Sequence, residues 1–319
     1  MSGIETLDLS VPKPESTAHL AFGKSDGARF QKKTKDGPHS NTWQIAAEGD
    51  ELQFKLSLPH KHGINLILDM RRTSYDQAPD CPLNINVNGD HEWGVEIDPH
   101  NLNFHKQAWY LPHYMLEKGK NLISLKLSPG ARTEVLVRSV SIMRFDLQTQ
   151  RQSNWCWAAV TSSLLRFFNP DNAMTQCEVV KECFSQAEFE MEADCCRNPA
   201  NKDCNRVFKL VDALDFMELL SIRCNYALSL NEIREQIQEG APVALRIEWK
   251  RGGGHFVVIT AVGPQDPKGD GQTWLRVADP KSQAASYITY NALKTRYKGN
   301  GKWTHTYLFE RERARSKKR

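Results

Sequence analysis

The chain has 319 residues, 25% of them charged and 40% hydrophobic, with a formal net charge of +4. That length suits two domains with separate cores, and no apolar run approaches the roughly 18–20 residues of a membrane-spanning helix. Residues 311–319 form a basic tail with six basic groups against one acid, so the body of the chain lacks the broadly basic surface of a nucleic-acid-binding protein.

Residues 1–40 are rich in Pro, Ser, Lys and Gly and read as a partly ordered N-terminal arm. Residues 1–13 lack the apolar stretch of a secretory signal. The expected location is the cytoplasm of the producing cell, with export by a specialised secretion route left open. From 41 to 147 short segments recur at 42–47, 52–58, 65–70, 83–87, 122–127 and 135–143, separated by turn residues. Leu83-Asn84-Ile85-Asn86-Val87 alternates strictly and runs into Asn88-Gly89, a hairpin signal. So many short strands predict an all-β sandwich. The stretch Leu116-Glu117-Lys118-Gly119-Lys120-Asn121-Leu122-Ile123 resembles the Leu…Gly-x-Asn-x-Ile segment of galactose-binding-like jelly rolls. The resemblance implies a jelly-roll-like fold, with Gly119 making a turn and Asn121 bonding backbone. It implies a glycan or protein ligand less strongly. Trp43, Trp93, Trp109 and Tyr110 are expected in the core, with stacking on a sugar ring as the alternative. His60, His62, His91, His100, His105 and His113 read as scattered surface residues rather than a metal site.

Residues 146–150 connect to a second domain over 148–310. The apolar period from Cys156 to Phe168 predicts a helix, with Asn154 or Ser153 as its N-cap. Cys177, Cys183, Cys195, Cys196 and Cys204 follow in what reads as a loop. Their gaps do not match the paired ligand spacing of a zinc site, so no metal is expected. Disulfides stapling 170–205 and free thiols both stay open, the compartment deciding between them. A helix fits 207–220. Another runs from the capping box Ser229-Leu230-Asn231-Glu232 to Gly240. Strands are predicted over 243–249, 255–262, 274–277, 286–290 and 304–309. Helices first and an antiparallel sheet afterwards is an α+β order.

The chemistry centres on Cys156. A cysteine in the first turn of a helix meets unpaired N–H groups and a partial positive charge, which favour the thiolate. Gln150, six residues earlier, offers an amide to an oxygen that turns negative in acyl transfer. A nucleophile of this kind needs a base, and of the ten histidines only His255 and His305 follow it. His255 sits between Gly252-Gly253-Gly254 and a buried-type β run. Gly253 and Gly254 remove side chains where a substrate backbone would approach. His305 lies in a plain alternating strand. Asp279, before Pro280 at the end of a predicted strand, can bond the second ring nitrogen and fix the tautomer. Asp266 and Asp270 compete for that role but sit among turn residues. Trp155 and Trp157 flank the cysteine and are read mostly as packing, with a place in the substrate groove as the alternative.

The order Gln150, Cys156-Trp157-Ala158, Gly254-His255, then Asp279 resembles the papain-like cysteine peptidases. Asn154-Trp155-Cys156-Trp157-Ala158-Ala159, the Cys195-Cys196 pair and Gly301-Lys302-Trp303 are most similar to the AvrRpt2-type bacterial family. The likeness covers 148–310. It implies an α+β papain-like fold and a hydrolase without cofactor acting on a protein or peptide. Cys156 would be nucleophile, His255 general base and acid, Asp279 the orienting group, and Gln150 with the Cys156 N–H the oxyanion donors. It also implies a bacterial effector or toxin. The acid is Asp rather than Asn, and both partners lie closer to the cysteine than the roughly 130–150 residues of papain-type enzymes. The same triad would serve a transglutaminase or glutamine deamidase. A non-catalytic binding module is the alternative from another class.

Overall fold

The computed structural model describes residues 3–9, 14–17, 20–26, 29–31, 42–73, 83–95, 97, 102–131, 133–190, 192–265 and 272–309. Two compact units divide the chain between Arg144 and Phe145. Cys81, His100, Asp266, Asp270 and the basic tail lie outside the described residues.

The first unit is an all-β sandwich. Its strands are β1 (Gly3–Asp8), β2 (Leu20–Asp26), β3 (Arg29–Gln31), β4 (Thr42–Ile45), β5 (Glu51–Leu58), β6 (Ile64–Arg72), β7 (Leu83–Val87), β8 (His91–Val95), β9 (His105–Leu111), β10 (Gly119–Leu127) and β11 (Val135–Arg144). One antiparallel sheet runs β3-β4-β11-β6-β9, with β1 also on β11; the other runs β2-β5-β10-β7-β8. The period of two decides which face is inward. Leu52, Phe54, Leu56 and Leu58 of β5 are buried while the residues between them are not. They join Leu66 and Leu68 of β6, Ile123 and Leu125 of β10, and Val137 and Val140 of β11 in one core. The first forty residues are not simply an arm. Gly3–Asp8 pairs along Ser139–Arg144, beyond the Val135–Val137 stretch that pairs with β4. Leu7, Leu9 and Leu20 are fully buried. Polar composition hid these strands, since few apolar residues suffice when only one face is covered.

Asn88 and Gly89 both take positive φ, 58° and 84°, in the hairpin between β7 and β8. The Asn88 side chain donates to Asn121 Oδ1 at 3.0 Å and to the Met115 carbonyl at 3.2 Å, and it accepts from the Leu122 N–H at 2.8 Å. Asn121, buried on β10, accepts from the Glu117 N–H at 2.7 Å and donates to the Glu117 and Gly119 carbonyls. The Gly-x-Asn segment is therefore a structural clamp. Trp43 is in the core, and Trp93 and Trp109 pack against it.

The second unit is α+β. It contains α1 (Cys156–Phe168), α2 (Gln176–Gln186), α3 (Leu210–Phe216), β12 (Ile222–Cys224), α4 (Leu230–Gln238), β13 (Val243–Trp249), β14 (Gly254–Gln265), β15 (Thr273–Ala278), β16 (Ser286–Thr289), α5 (Tyr290–Arg296) and β17 (Gly301–Leu308). The sheet is antiparallel throughout, in the order β12-β17-β13-β14-β15-β16. Eleven of the thirteen residues of α1 are buried. Ser229 and Glu232 form the capping box expected of α4. The region read as a cysteine loop contains α2, opened by a second capping box between Thr175 and Glu178. The helix read over 207–220 is shorter, because Val207 is 77% exposed and the chain turns at Glu218, whose φ is 55°.

Replacing Asn121 by alanine strips partners from several buried polar groups. Asn121→Ala is expected to destabilise the protein by about 1–3 kcal/mol, measured by urea unfolding of the full chain.

Candidate active site

Cys156 is the first residue of α1, and the cap is Trp155 rather than Asn154 or Ser153. Those two polar residues are engaged elsewhere. The Asn154 N–H donates to Asn205 Oδ1 at 3.0 Å, its side-chain amide donates to the Asn205 carbonyl at 2.8 Å, and Asn205 Nδ2 donates to Ser153 Oγ at 2.9 Å. The indole N–H of Trp155 reaches the Cys204 carbonyl at 2.8 Å, and that of Trp157 the Arg206 carbonyl at 3.1 Å. Segment 204–206 thus clasps the start of the helix. Trp155 and Trp157 are 0% and 1% exposed, which corrects the groove-lining alternative: both are packing residues.

Disulfides fix that segment. Cys195 is bonded to Cys204, and its neighbour Cys196 to Cys177 of α2. The adjacent cysteines go to different partners. Cys183 is a buried free thiol, as are Cys224 and Cys156 itself.

Burial pushes the Cys156 thiol up from its ordinary range. The backbone N–H groups of Phe256, Trp157 and Cys156, and the charge of Lys281, oppose that shift without overcoming it. The helix end alone therefore does not bring this thiol below its ordinary range. The Phe256 N–H does locate the sulfur, which lies against the start of β14.

His255 is 1% exposed. Its Nε2 is 2.7 Å from Asp279 Oδ1, and the Trp249 ring stacks on the imidazole at 6.1 Å between centroids. Asp279 follows the last residue of β15, which pairs with β14 through Val258 and Ala278. The carboxylate takes three more donors. The Lys281 N–H reaches Oδ1 at 2.8 Å, while the Tyr297 hydroxyl at 2.8 Å and Lys298 Nζ at 2.5 Å reach Oδ2. Burial opposes the charge on Asp279, but the bond and charge of His255, then Lys298 and the Lys281 N–H, hold its carboxyl well below the usual range. Burial pushes the Tyr297 hydroxyl upward, and the Asp279 charge adds to it. Sequence reasoning missed Tyr297, Lys298 and Trp249. Gly299 and Gly301 mark a turn after Tyr297, but no pattern connects that turn with an acid eighteen residues earlier.

Gln150 stands close to the same turn, its N–H donating to the Pro280 carbonyl at 2.7 Å. Its side-chain amide, however, donates to the carbonyls of Gln152 at 2.7 Å and Ser153 at 2.8 Å. The oxyanion role expected of it is thus not poised, and requires one of those bonds to be exchanged. Gly253 and Gly254 are exposed on the β13–β14 hairpin. Gly252 and Gly253 have φ of 89° and 82° with open space around them, so backbone conformation alone requires glycine there. His305 is on β17, separated from β14 by β13. Burial and the charges of Arg223 and Arg246 push its titration down. Among the described residues, no group of three or more His, Cys, Asp or Glu is placed to hold a metal.

The sequence model of the Peptidase_C39 like family matches residues 142–307. The chain belongs to this family. Its second unit is accordingly a cysteine-peptidase-like domain. The search of curated proteins finds no match. Among solved structures, the chain is similar to a GH26-CBM35 β-(1,4)-mannanase from Podospora anserina. The identity is 15% over 52% of this chain and 35% of that one, with a TM-score of 0.31. It is also similar to the CBM35 of Cellvibrio japonicus Abf62, at 14% identity over 44% of this chain and 93% of that one, TM-score 0.33. A family 35 carbohydrate binding module from Clostridium thermocellum gives 12%, 40%, 99% and 0.30 in the same order. The chain spans about a third of the mannanase. Likenesses of this order transfer no ligand or activity.

Two measurements check the site. The double substitution Cys195→Ser, Cys204→Ser is expected to cost about 2–4 kcal/mol of stability, read from unfolding curves beside non-reducing peptide maps. Asp279, depressed in the folded state, contributes stability that is present above its ordinary value near about 4 and lost as pH falls. The Tm gap between wild type and Asp279→Asn should therefore be wide at neutral pH and shrink under acid.

Proposed function

We propose that the second unit is a cysteine peptidase that hydrolyses protein or peptide bonds through Cys156, His255 and Asp279. The observation that carries this is the buried 2.7 Å bond from His255 to Asp279 on adjoining strands, with the Phe256 N–H bearing on the Cys156 sulfur. Because Nε2 is held by the acid, Nδ1 is the ring nitrogen left to serve the thiol.

Burial of the sulfur favours the protonated thiol of Cys156 before substrate binds. As sulfur attacks the scissile carbonyl carbon, the thiol proton passes to Nδ1 and the Asp279 charge stabilises the imidazolium. The Cys156 backbone N–H donates to the oxyanion. Gln150 adds a second donor by exchanging one of its carbonyl bonds for the new anion. The C–N bond breaks as the imidazolium protonates the leaving amine. His255 then takes a proton from water, whose oxygen displaces the sulfur and releases the acid.

The paired disulfides support action in an oxidising compartment and hence export, as an effector or toxin of AvrRpt2 type would require. Of the residues that carry that finer likeness, Cys195 and Cys196 anchor the segment holding the start of α1.

Treating a mixture of unfolded proteins with the enzyme and sequencing the new termini tests the reading. Cys156→Ala is expected to abolish cleavage while keeping the fold. Asp279→Asn should lower kcat by about 10²–10⁴-fold. Glutamines gaining about 1 Da with no new termini would make the protein a deamidase instead, since hydrolysing the side-chain amide uses the same acyl chemistry.

A further inference from the structure

Asp279 divides its two oxygens between two tasks. Oδ1 serves His255 and the Lys281 N–H, whereas Oδ2 is filled by the Tyr297 hydroxyl and the Lys298 ammonium. The second pair comes from one turn, built to point there. Tyr297 and Gly301 exchange backbone hydrogen bonds at 2.8 Å. A Cβ on Gly301 would lie 2.5 Å from Ile247 and 2.8 Å from Trp249, so this turn is pressed onto the strand that carries the tryptophan. That Trp249 ring stacks on both His255 and Tyr297. Lys298 itself has φ 46°, a left-handed conformation that costs a lysine energy and that here accompanies an ammonium 2.5 Å from Oδ2.

We propose that Tyr297 and Lys298 are positioning residues that lock the Asp279 carboxylate and withdraw part of its charge from His255, setting how readily the imidazole takes the Cys156 proton. The inference rests on the peptidase reading for its catalytic meaning, but its physical content is independent of any substrate. Charge drawn to Oδ2 by the lysine is charge that the imidazolium on Oδ1 does not feel. The titratable and charged groups around this centre are His255 on β14, Tyr297 and Lys298 on the turn, Lys281 after β15, and Cys156 on α1. Lys281 acts on the sulfur and is left intact in the test. A lysine with a half-exposed side chain is partly screened, so its removal is worth roughly a twofold to fivefold change in rate rather than orders of magnitude.

The test is the rate at which iodoacetamide alkylates Cys156, followed by peptide mass spectrometry across neutral and mildly acidic pH, on the full chain. Lys298→Met is expected to raise the neutral-pH rate about twofold to fivefold, because the thiolate–imidazolium pair is better stabilised once Asp279 faces His255 alone. Lys298→Arg should restore the wild-type rate. Tyr297→Phe should shift the profile in the same direction as Lys298→Met, and circular dichroism confirms that each variant is folded. A rate for Lys298→Met that is unchanged or lowered overturns the proposal, as does Lys298→Arg behaving like Lys298→Met. Failure of the peptidase reading shows separately, as cleavage that survives Cys156→Ala. In that event the alkylation comparison still decides the role of the turn.

Discussion

A carboxylate removed from water must be given back what water supplied, and Asp279 is where this domain meets that demand. Taking such a charge into the interior costs several kcal/mol unless donors replace its hydration. Asp279 is 3% exposed and has two donors on each oxygen. Those donors come from β14, from the turn after β15 and from the turn before β17. The charge thus joins three places that are distant in sequence. It also fixes register, since a one-residue slip of β14 against β15 would carry His255 to the other face of the sheet and leave the acid short of a partner.

The same need for compensation shapes the cysteine side. A helix N-terminus favours a thiolate, but desolvation opposes it, and here desolvation is the larger influence. The sulfur's helix end is buried because Asn154, Trp155 and Trp157 all reach the backbone or side chain of 204–206. That segment is in turn held by the Cys195–Cys204 disulfide. The clasp that makes this cysteine rigid also buries its sulfur and so disfavours its ionisation. On the proposed reading, rigidity and reactivity are divided, the first supplied by disulfides and aromatic burial, the second by the imidazole and the acid behind it.

Much of this was legible in the sequence because it rests on local rules. The hairpin at Asn88-Gly89, the capping box at Ser229 and the strand that stops at Asp279-Pro280 each follow from backbone chemistry within a few residues. β1 and β2 were not legible, because their buried residues are sparse and their partners are strands far along the chain. α2 carried a readable Thr175…Glu178 signal, obscured by reading its cysteines as a loop. The two tryptophans beside Cys156 show a different limit. Neighbours in sequence on a helix point in different directions, and adjacency to a nucleophile says nothing of adjacency to its substrate. Tyr297 and Lys298 show the converse, residues close to the acid only because a turn folds back onto it.

The choice between the two histidines that follow Cys156 was also made from local context, three glycines before His255. The structure gives two of them, Gly252 and Gly253, a conformational reason of their own, so the discrimination must come from elsewhere. Topology and charge supply it. His305 lies beyond β13, where burial first, and then the charges of Arg223 and Arg246, hold its imidazole back from accepting a proton. His255 lies on the strand beside the acid, with its Nε2 on a carboxylate and an aromatic ring over its face. A general base must be able to hold a proton at the moment of attack and then give it up. Of these two positions, only His255 has a counter-charge within hydrogen-bonding distance of the ring to stabilise that intermediate state.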